Sequence, residues 1–167
     1  IARSFLATKR IEYARIYLNK ALYIIPDDYE IIKDIGNTYQ TVGDINTARK
    51  HYQKAIEINA NYAPALTNLG CIEIKDGNRE EGLSLLIQAT KSDPQLTPAW
   101  QNLANGYLQL GKLKEAEIAC RKAIDFNSSF YKSHFLLANI LIGEKRLKEA
   151  ELFLRKTIEL SPDFAPA

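Results

Sequence analysis

Residues 97–130 read TPAWQNLANGYLQLGKLKEAEIACRKAIDFNSSF, and residues 131–164 read YKSHFLLANILIGEKRLKEAELFLRKTIELSPDF. Laid one above the other, the two stretches place Glu-Ala-Glu at the same depth, at 115–117 and 149–151. Working outward, Ala14, Ala48, Ala116 and Ala150 stand on one ladder with a 34-residue rung, and Gly82 occupies the missing rung. Seven residues on runs a second ladder of Ala21, Ala55, Ala89, Ala123 and Thr157. Small residues at so regular an interval mark places where two helices approach too closely for a larger side chain. Gly43, Gly77 and Gly111 keep the same spacing, each followed by a polar residue (Asp44, Asn78, Lys112). The six prolines use two places in the period: Pro26, Pro94 and Pro162 in one, Pro64, Pro98 and Pro166 in the other. Proline suits a loop or a first helical turn, and glycine accepts the left-handed turn at a helix end. Each unit therefore reads as helix, glycine turn, helix, proline turn.

The pattern resembles the tetratricopeptide repeat, a helix–turn–helix unit with W-x2-L-G-x2-Y, then A-x3-F, then P. Trp100, Leu103, Tyr107, Ala116 and Ala123 match it in one unit, and Ile32, Ile35, Gly36, Tyr39, Ala48, Tyr52 and Ala55 in another. Leu66, Leu69, Gly70 and Gly77 carry a third; Leu137, Ala138, Leu141, Ala150 and Leu154 a fourth; Phe5, Ile11, Ala14, Leu18, Ala21 and Pro26 a truncated first. The chain departs from the pattern at Gly82, Thr157, Glu73 (where an aromatic is expected) and His134 (in the tryptophan slot). Pentatricopeptide repeats, which read RNA, have a period one residue longer, and no such slip accumulates here. The resemblance implies an all-α fold, a right-handed superhelical solenoid of antiparallel helix pairs. Its units are expected at 1–28 (truncated), 29–62, 63–96, 97–130 and 131–164, with 165–167 starting another. Starting at Ile1 and stopping three residues into a further unit is what a segment of a longer parent would show.

Of the 167 residues, 46% are hydrophobic and 25% charged, an ordinary balance for a folded chain. A solenoid has no single central core, and isolated helices of about 14 residues are marginal in water, so stacking has to supply the stability. A net charge of +2 argues against nucleic acid or an anionic membrane as the main partner. No run approaches the ~18–20 apolar residues that span a bilayer. Cys71 and Cys120 fall at non-equivalent places, giving neither a disulfide framework nor a metal site, and a cytoplasmic setting is the default expectation.

No catalytic set, cofactor site or metal site is expected. His51 reads as a surface residue and His134 as a partly buried substitute for a core aromatic, with no acid–base constellation around either. The acids of the two Glu-Ala-Glu segments read as solvated helix charge beside Lys114, Lys122, Lys148 and Lys156. Function is then expected on a surface.

In the family this chain resembles, the first helices line a concave groove that holds an extended peptide or a partner helix. Carried over, the groove runs through Lys33, Asp34, Asn37, Gln40 and Thr41, then Thr67, Asn68, Cys71, Ile74 and Lys75. It continues through Gln101, Asn102, Asn105, Leu108 and Gln109, and through Phe135, Leu136, Asn139 and Ile142, with Arg3 and Leu6 in the truncated unit. Side-chain amides at these places can both donate to and accept from a peptide backbone. The site residues singled out are Lys33, Asn37, Asn68, Gln101, Asn102, Asn105, Phe135 and Asn139. Leu6, Ile74, Leu108 and Ile142 form an apolar line that packs between adjacent first helices. Phe135 and Leu136 face either a ligand or a following unit. Asn68 and Asn102 resemble the asparagine ladder in the arm of O-GlcNAc-transferase-type enzymes, though Asp34 and Leu136 interrupt it. Lys33, Asn37 and Asn68 match three of the five carboxylate-clamp residues of chaperone-tail-binding members; the other two places hold Pro98 and Asn102, neither of them basic. The implied function is a protein-interaction scaffold binding a protein or peptide ligand. The alternatives are the recognition arm of a larger transferase, or a self-association module stacking end to end.

Overall fold

The computed structural model describes residues 11–164. Among them the chain forms nine helices and no strand: α1 (Ile11–Ile24), α2 (Tyr29–Thr41), α3 (Ile45–Ile58), α4 (Ala63–Lys75), α5 (Arg79–Ser92), α6 (Thr97–Gln109), α7 (Leu113–Phe126), α8 (Tyr131–Gly143) and α9 (Leu147–Leu160). Arg3, Phe5, Leu6, Pro166 and the expected unit start at 165–167 lie outside the described residues. No helix among those described is long and apolar enough to cross a membrane.

Local chemistry sets the boundaries. The Asp28 carboxylate caps α2 by accepting from the amides of Glu30 and Ile31, and Asp44 caps α3 through Thr47. Pro64 and Pro98 occupy the first turns of α4 and α6, where a missing N–H costs nothing. The turn inside each helix pair needs a left-handed residue: Gly43, Gly77 and Gly111 adopt φ of 86°, 97° and 70°. The fourth equivalent is Lys145, at φ 62° without the glycine that makes this conformation easy. Between pairs, the side chains of Asn59, Asp93 and Asn127 accept from the amides of Asn61, Gln95 and Ser129 at 3.2, 3.0 and 3.1 Å. These polar turns form a third ladder at the 34-residue spacing.

Each first helix packs on the second helix of its own pair and on the one before, so a continuous seam replaces a central core. The alanine ladders lie in that seam: Ala48, Ala55, Ala89, Ala116 and Ala123 are wholly buried. At Gly82 the approach is tighter still, since a Cβ there would sit 2.6 Å from the Gly70 carbonyl oxygen and 2.9 Å from the Ile74 amide nitrogen. Thr157 keeps its rung by turning its hydroxyl onto the Phe153 carbonyl at 2.8 Å.

The two aromatic departures have physical substitutes. The His134 ring nitrogen Nε2 lies 2.8 Å from the Ser128 carbonyl, just as Trp100 Nε1 donates to the Pro94 carbonyl at 2.8 Å in the unit before. Glu73, buried where an aromatic is expected, accepts from Arg49 Nε at 2.8 Å and from Asn78 Nδ2 at 2.7 Å. Arg49 also pairs with Asp76. The Glu-Ala-Glu acids are not all solvated beside lysines, as the sequence suggested. Glu117 is half-buried and accepts from Arg146 at 2.8 Å and Arg121 at 2.6 Å, while Glu149 binds the other side of the Arg146 guanidinium. Arg121 lies within helical spacing of Glu117, whereas Arg146, at the start of the next second helix, comes close only after stacking.

Candidate functional site

The first helices α4 and α6 pack directly on each other, and no pair of second helices makes a comparable contact among the described residues. The first helices therefore line the inside of the curve, and their solvent-facing residues form its inner face.

At the α2–α4 end, five of these residues are occupied with one another. Lys33 Nζ lies 2.5 Å from Asp34 Oδ1, with side-chain exposures of 13% and 6%. Asn37 Nδ2 donates to the same carboxylate at 3.3 Å. Asn68 Nδ2 reaches Asn37 Oδ1 at 2.9 Å, joining two units. Beneath them the Tyr52 hydroxyl sits 2.8 Å from Asn37 Oδ1 and 2.6 Å from Gln40 Oε1. A phenol has one proton, so one of those amides presents its nitrogen instead. Burial pushes the Tyr52 phenol above its ordinary value, and it acts as a fixed neutral anchor. Lys33, Asn37 and Asn68 are thus brought together, but largely satisfied before any ligand arrives. Tyr52 went unnoticed as a site residue because its position reads as core. The available signal was its hydroxyl, which a buried tyrosine has to pair.

Between α4 and α6 the inner face opens into a cleft of about 300 Å³, lined by Cys71, Ile74, Lys75, Asn102, Asn105, Gly106, Leu108 and Gln109. Asn102 and Asn105 line it as a pair of amide walls; Gln101, on the same helix, is half-buried and outside the lining. Ile74 forms the floor and is nearly buried. Gly106 admits it, because a Cβ there would lie 2.8 Å from Ile74 Cδ1. Burial raises the Cys71 thiol to about 11 although the Lys75 ammonium pulls it the other way, and raises the core thiol of Cys120 to about 12. Both remain protonated at neutral pH, so neither is an activated nucleophile. His51 is held by the Thr47 carbonyl and stacked on Tyr39 at 5.4 Å. No group of three potential metal ligands occurs among the described residues.

At the α8 end, Phe135 makes an edge-on contact with Phe164, ring centroids 5.1 Å apart, and Tyr131 closes on the same ring at 4.9 Å. Leu136 packs against the core, while Asn139 and Ile142 are exposed. The apolar line thus divides: Ile74 is nearly buried and Leu108 half-buried between first helices, and Ile142 is open at 44%.

Sequence profiles described as tetratricopeptide repeat match residues 41–106, 97–130 and 131–164. The type IV pilus assembly protein PilF of Pseudomonas aeruginosa is 24% identical over 143 residues, covering 84% of this chain and 57% of that protein. Mouse superkiller complex protein 3 is 29% identical over 77 residues, 46% of this chain and 5% of that one. The small glutamine-rich tetratricopeptide repeat-containing protein 2 of Mycosarcoma maydis is 28% identical over 100 residues, 60% and 28% respectively. The chain thus spans between 5% and 57% of the length of these curated relatives. Among solved structures, that of P. aeruginosa pilF superposes with a TM-score of 0.88 at 22% identity, covering 96% of this chain and 73% of that one. YrrB, described as a TPR protein with an unusual peptide-binding site, superposes with a TM-score of 0.70 at 18% identity over 98% of this chain and 84% of its own. These likenesses show the fold, a right-handed superhelical solenoid.

Proposed function

Because this chain belongs to the tetratricopeptide repeat family, we propose that it is a non-catalytic protein-interaction scaffold that holds an extended segment of a partner along its inner face. The observation that carries this reading is the α4–α6 cleft, where Asn102, Asn105 and Gln109 surround an apolar floor. Amides pair with the main chain of an extended ligand whatever its sequence, and the floor shields one side chain from water. The α2–α4 network supports a division of labour. Its amides fix the curvature between two units, and Asn102, Asn105 and Asn139 remain to meet the partner. A chaperone-type carboxylate clamp is a poorer reading, because Asp34 already occupies the Lys33 ammonium.

The test is a peptide array probed with the intact chain and with an Asn102→Ala, Asn105→Ala double variant. The variant is expected to keep the wild-type melting temperature, since both side chains are half-exposed, and to lose the spots the wild type retains. An unchanged set of retained peptides would refute the groove.

A further inference from the structure

We infer that the segment seated in the α4–α6 cleft presents an apolar side chain beside a side-chain carboxylate, and that Lys75, not Lys33, holds the acid. The inference rests on the groove reading above and adds the chemistry of the ligand.

Charge is distributed unevenly along the inner face. Among the described residues Lys33 carries the first cation of the groove, but Asp34 lies 2.5 Å away and both side chains are largely withdrawn from water. That pair offers an incoming anion almost no net field. One unit on, Lys75 is exposed and lines the cleft, and it forms no ion pair among the described residues. No carboxylate lines the cleft, and the Cys71 thiol beside Lys75 is held neutral by its burial. The formal charge of the cleft is therefore one uncompensated ammonium. Apolar walls with low permittivity strengthen its field at close range.

The rest of the lining defines what accompanies the acid. Ile74 and Leu108 make an apolar floor that reaches inward because residue 106 has no side chain. Asn102, Asn105 and Gln109 stand around it with both donor and acceptor atoms. A neutral polar side chain would exchange water for nothing on that floor, whereas an aliphatic or aromatic one gains by leaving water. One exposed amide, Asn139, stands a unit past the cleft, a further main-chain contact for a bound chain that runs through rather than ending there. The acid is accordingly an internal Glu or Asp side chain, not a terminal carboxylate, whose recognition needs several fixed donors rather than one flexible ammonium.

A displayed library of random dodecapeptides selected on the intact chain, then on Lys75→Glu, Lys33→Ala and the Asn102→Ala, Asn105→Ala double variant, decides the matter. Wild-type selection is expected to enrich an apolar residue next to Glu or Asp. Lys75→Glu should turn that enrichment to Lys or Arg, and Lys33→Ala should leave it unchanged. With a selected peptide whose C-terminus is amidated, Lys75→Ala and Glu→Gln in the peptide should each weaken binding about fivefold, the size of one partly shielded ion pair. Together they should cost no more than either alone. Peptides that need Asn102 and Asn105 but show no acidic enrichment would overturn the inference and leave the groove standing. The same holds if the enrichment follows Lys33, or if amidation abolishes binding. Peptides indifferent to Asn102 and Asn105 would overturn both. Circular dichroism confirms that each variant is folded, which the exposure of Lys75 leads one to expect.

Discussion

Lys145 holds a left-handed backbone in a turn whose three equivalents are glycines. A side chain there crowds its own carbonyl oxygen, at a cost of about 1 kcal/mol. Lys145→Gly is expected to raise the unfolding free energy by about that amount, read as a higher urea midpoint with an unchanged m-value; a lower midpoint would mean that the lysine makes a compensating contact. Gly82→Ala should act in the opposite sense, although alanine is what the other rungs of its ladder carry. The new Cβ would meet backbone atoms of α4 at 2.6 and 2.9 Å, which cannot swing aside as a side chain could. About 1–3 kcal/mol of destabilisation is expected, read as a lower melting temperature. The ladder could be seen in the sequence, because it needs only the size of a residue and its spacing. That Gly82 faces Gly70 could not, since their closeness depends on where two helix axes cross. The site divides in the same way. Register together with the family resemblance assigns Asn102 and Asn105 to the groove, and both line the cleft. Nothing in the spacing says that Asn37 and Asn68 bond to each other, or that Asp34 neutralises Lys33, because these facts depend on rotamers and on a tyrosine reached from the second helix. Glu73 and His134 stood out as departures, and their partners appeared only once the turns and helix starts of neighbouring units were placed beside them.

The helix pairs are joined by chemically different junctions. Between α3 and α4, Arg49 binds Glu73 and Asp76. Between α7 and the α8–α9 turn, Arg146 binds Glu117, Glu144 and Glu149. The same places at the middle junction hold Leu83 and Leu110, both packed in the core cluster. A pH effect follows for the last junction. Arg146, with Arg121, holds the Glu117 carboxyl below its ordinary value, and Arg146 does the same to Glu149. A carboxyl depressed in the folded state contributes stability that is present above its unfolded value, near 4.3 for glutamate. That contribution is lost as pH falls through the lower folded value. Acidification is therefore expected to loosen α8 and α9 before the apolar middle junction. Protection of the α9 amides, measured relative to their intrinsic exchange, should fall below about pH 4.3 more than that of α5 and α6, and Glu117→Gln should flatten that difference. An equal loss of protection in all helices would show that the arginine cluster does not hold this junction. The Glu-Ala-Glu repeat is plain in the sequence, and so is the i,i+4 partner Arg121 of Glu117; the bond from Arg146 to Glu117 crosses from one unit to the next, beyond the reach of helical spacing.

Across the whole molecule, a seam without a centre means that stability is shared between neighbours rather than pooled. Leu86 and Leu141 are both wholly buried in the same cluster, the first in the middle unit and the second near the end of the described chain. In a globule, truncating either to alanine would lower one cooperative transition by about 2–5 kcal/mol. In a stack the position matters as much as the cavity. Leu141→Ala weakens α8 against α9, and the units before it keep their own neighbours. Fast hydrogen exchange should then stay within α8 and α9 while α2–α6 remain protected. Leu86→Ala weakens α5, which packs on both α4 and α6, so the solenoid loses its link between two halves. Its urea transition should broaden and its apparent m-value fall, the mark of a transition that is no longer two-state. The two variants differ little in the volume removed, so the contrast isolates coupling from cavity size. Should Leu141→Ala instead unfold the whole chain in one sharp transition, the units would be acting as a single domain, and an inner face assembled junction by junction would no longer describe the protein.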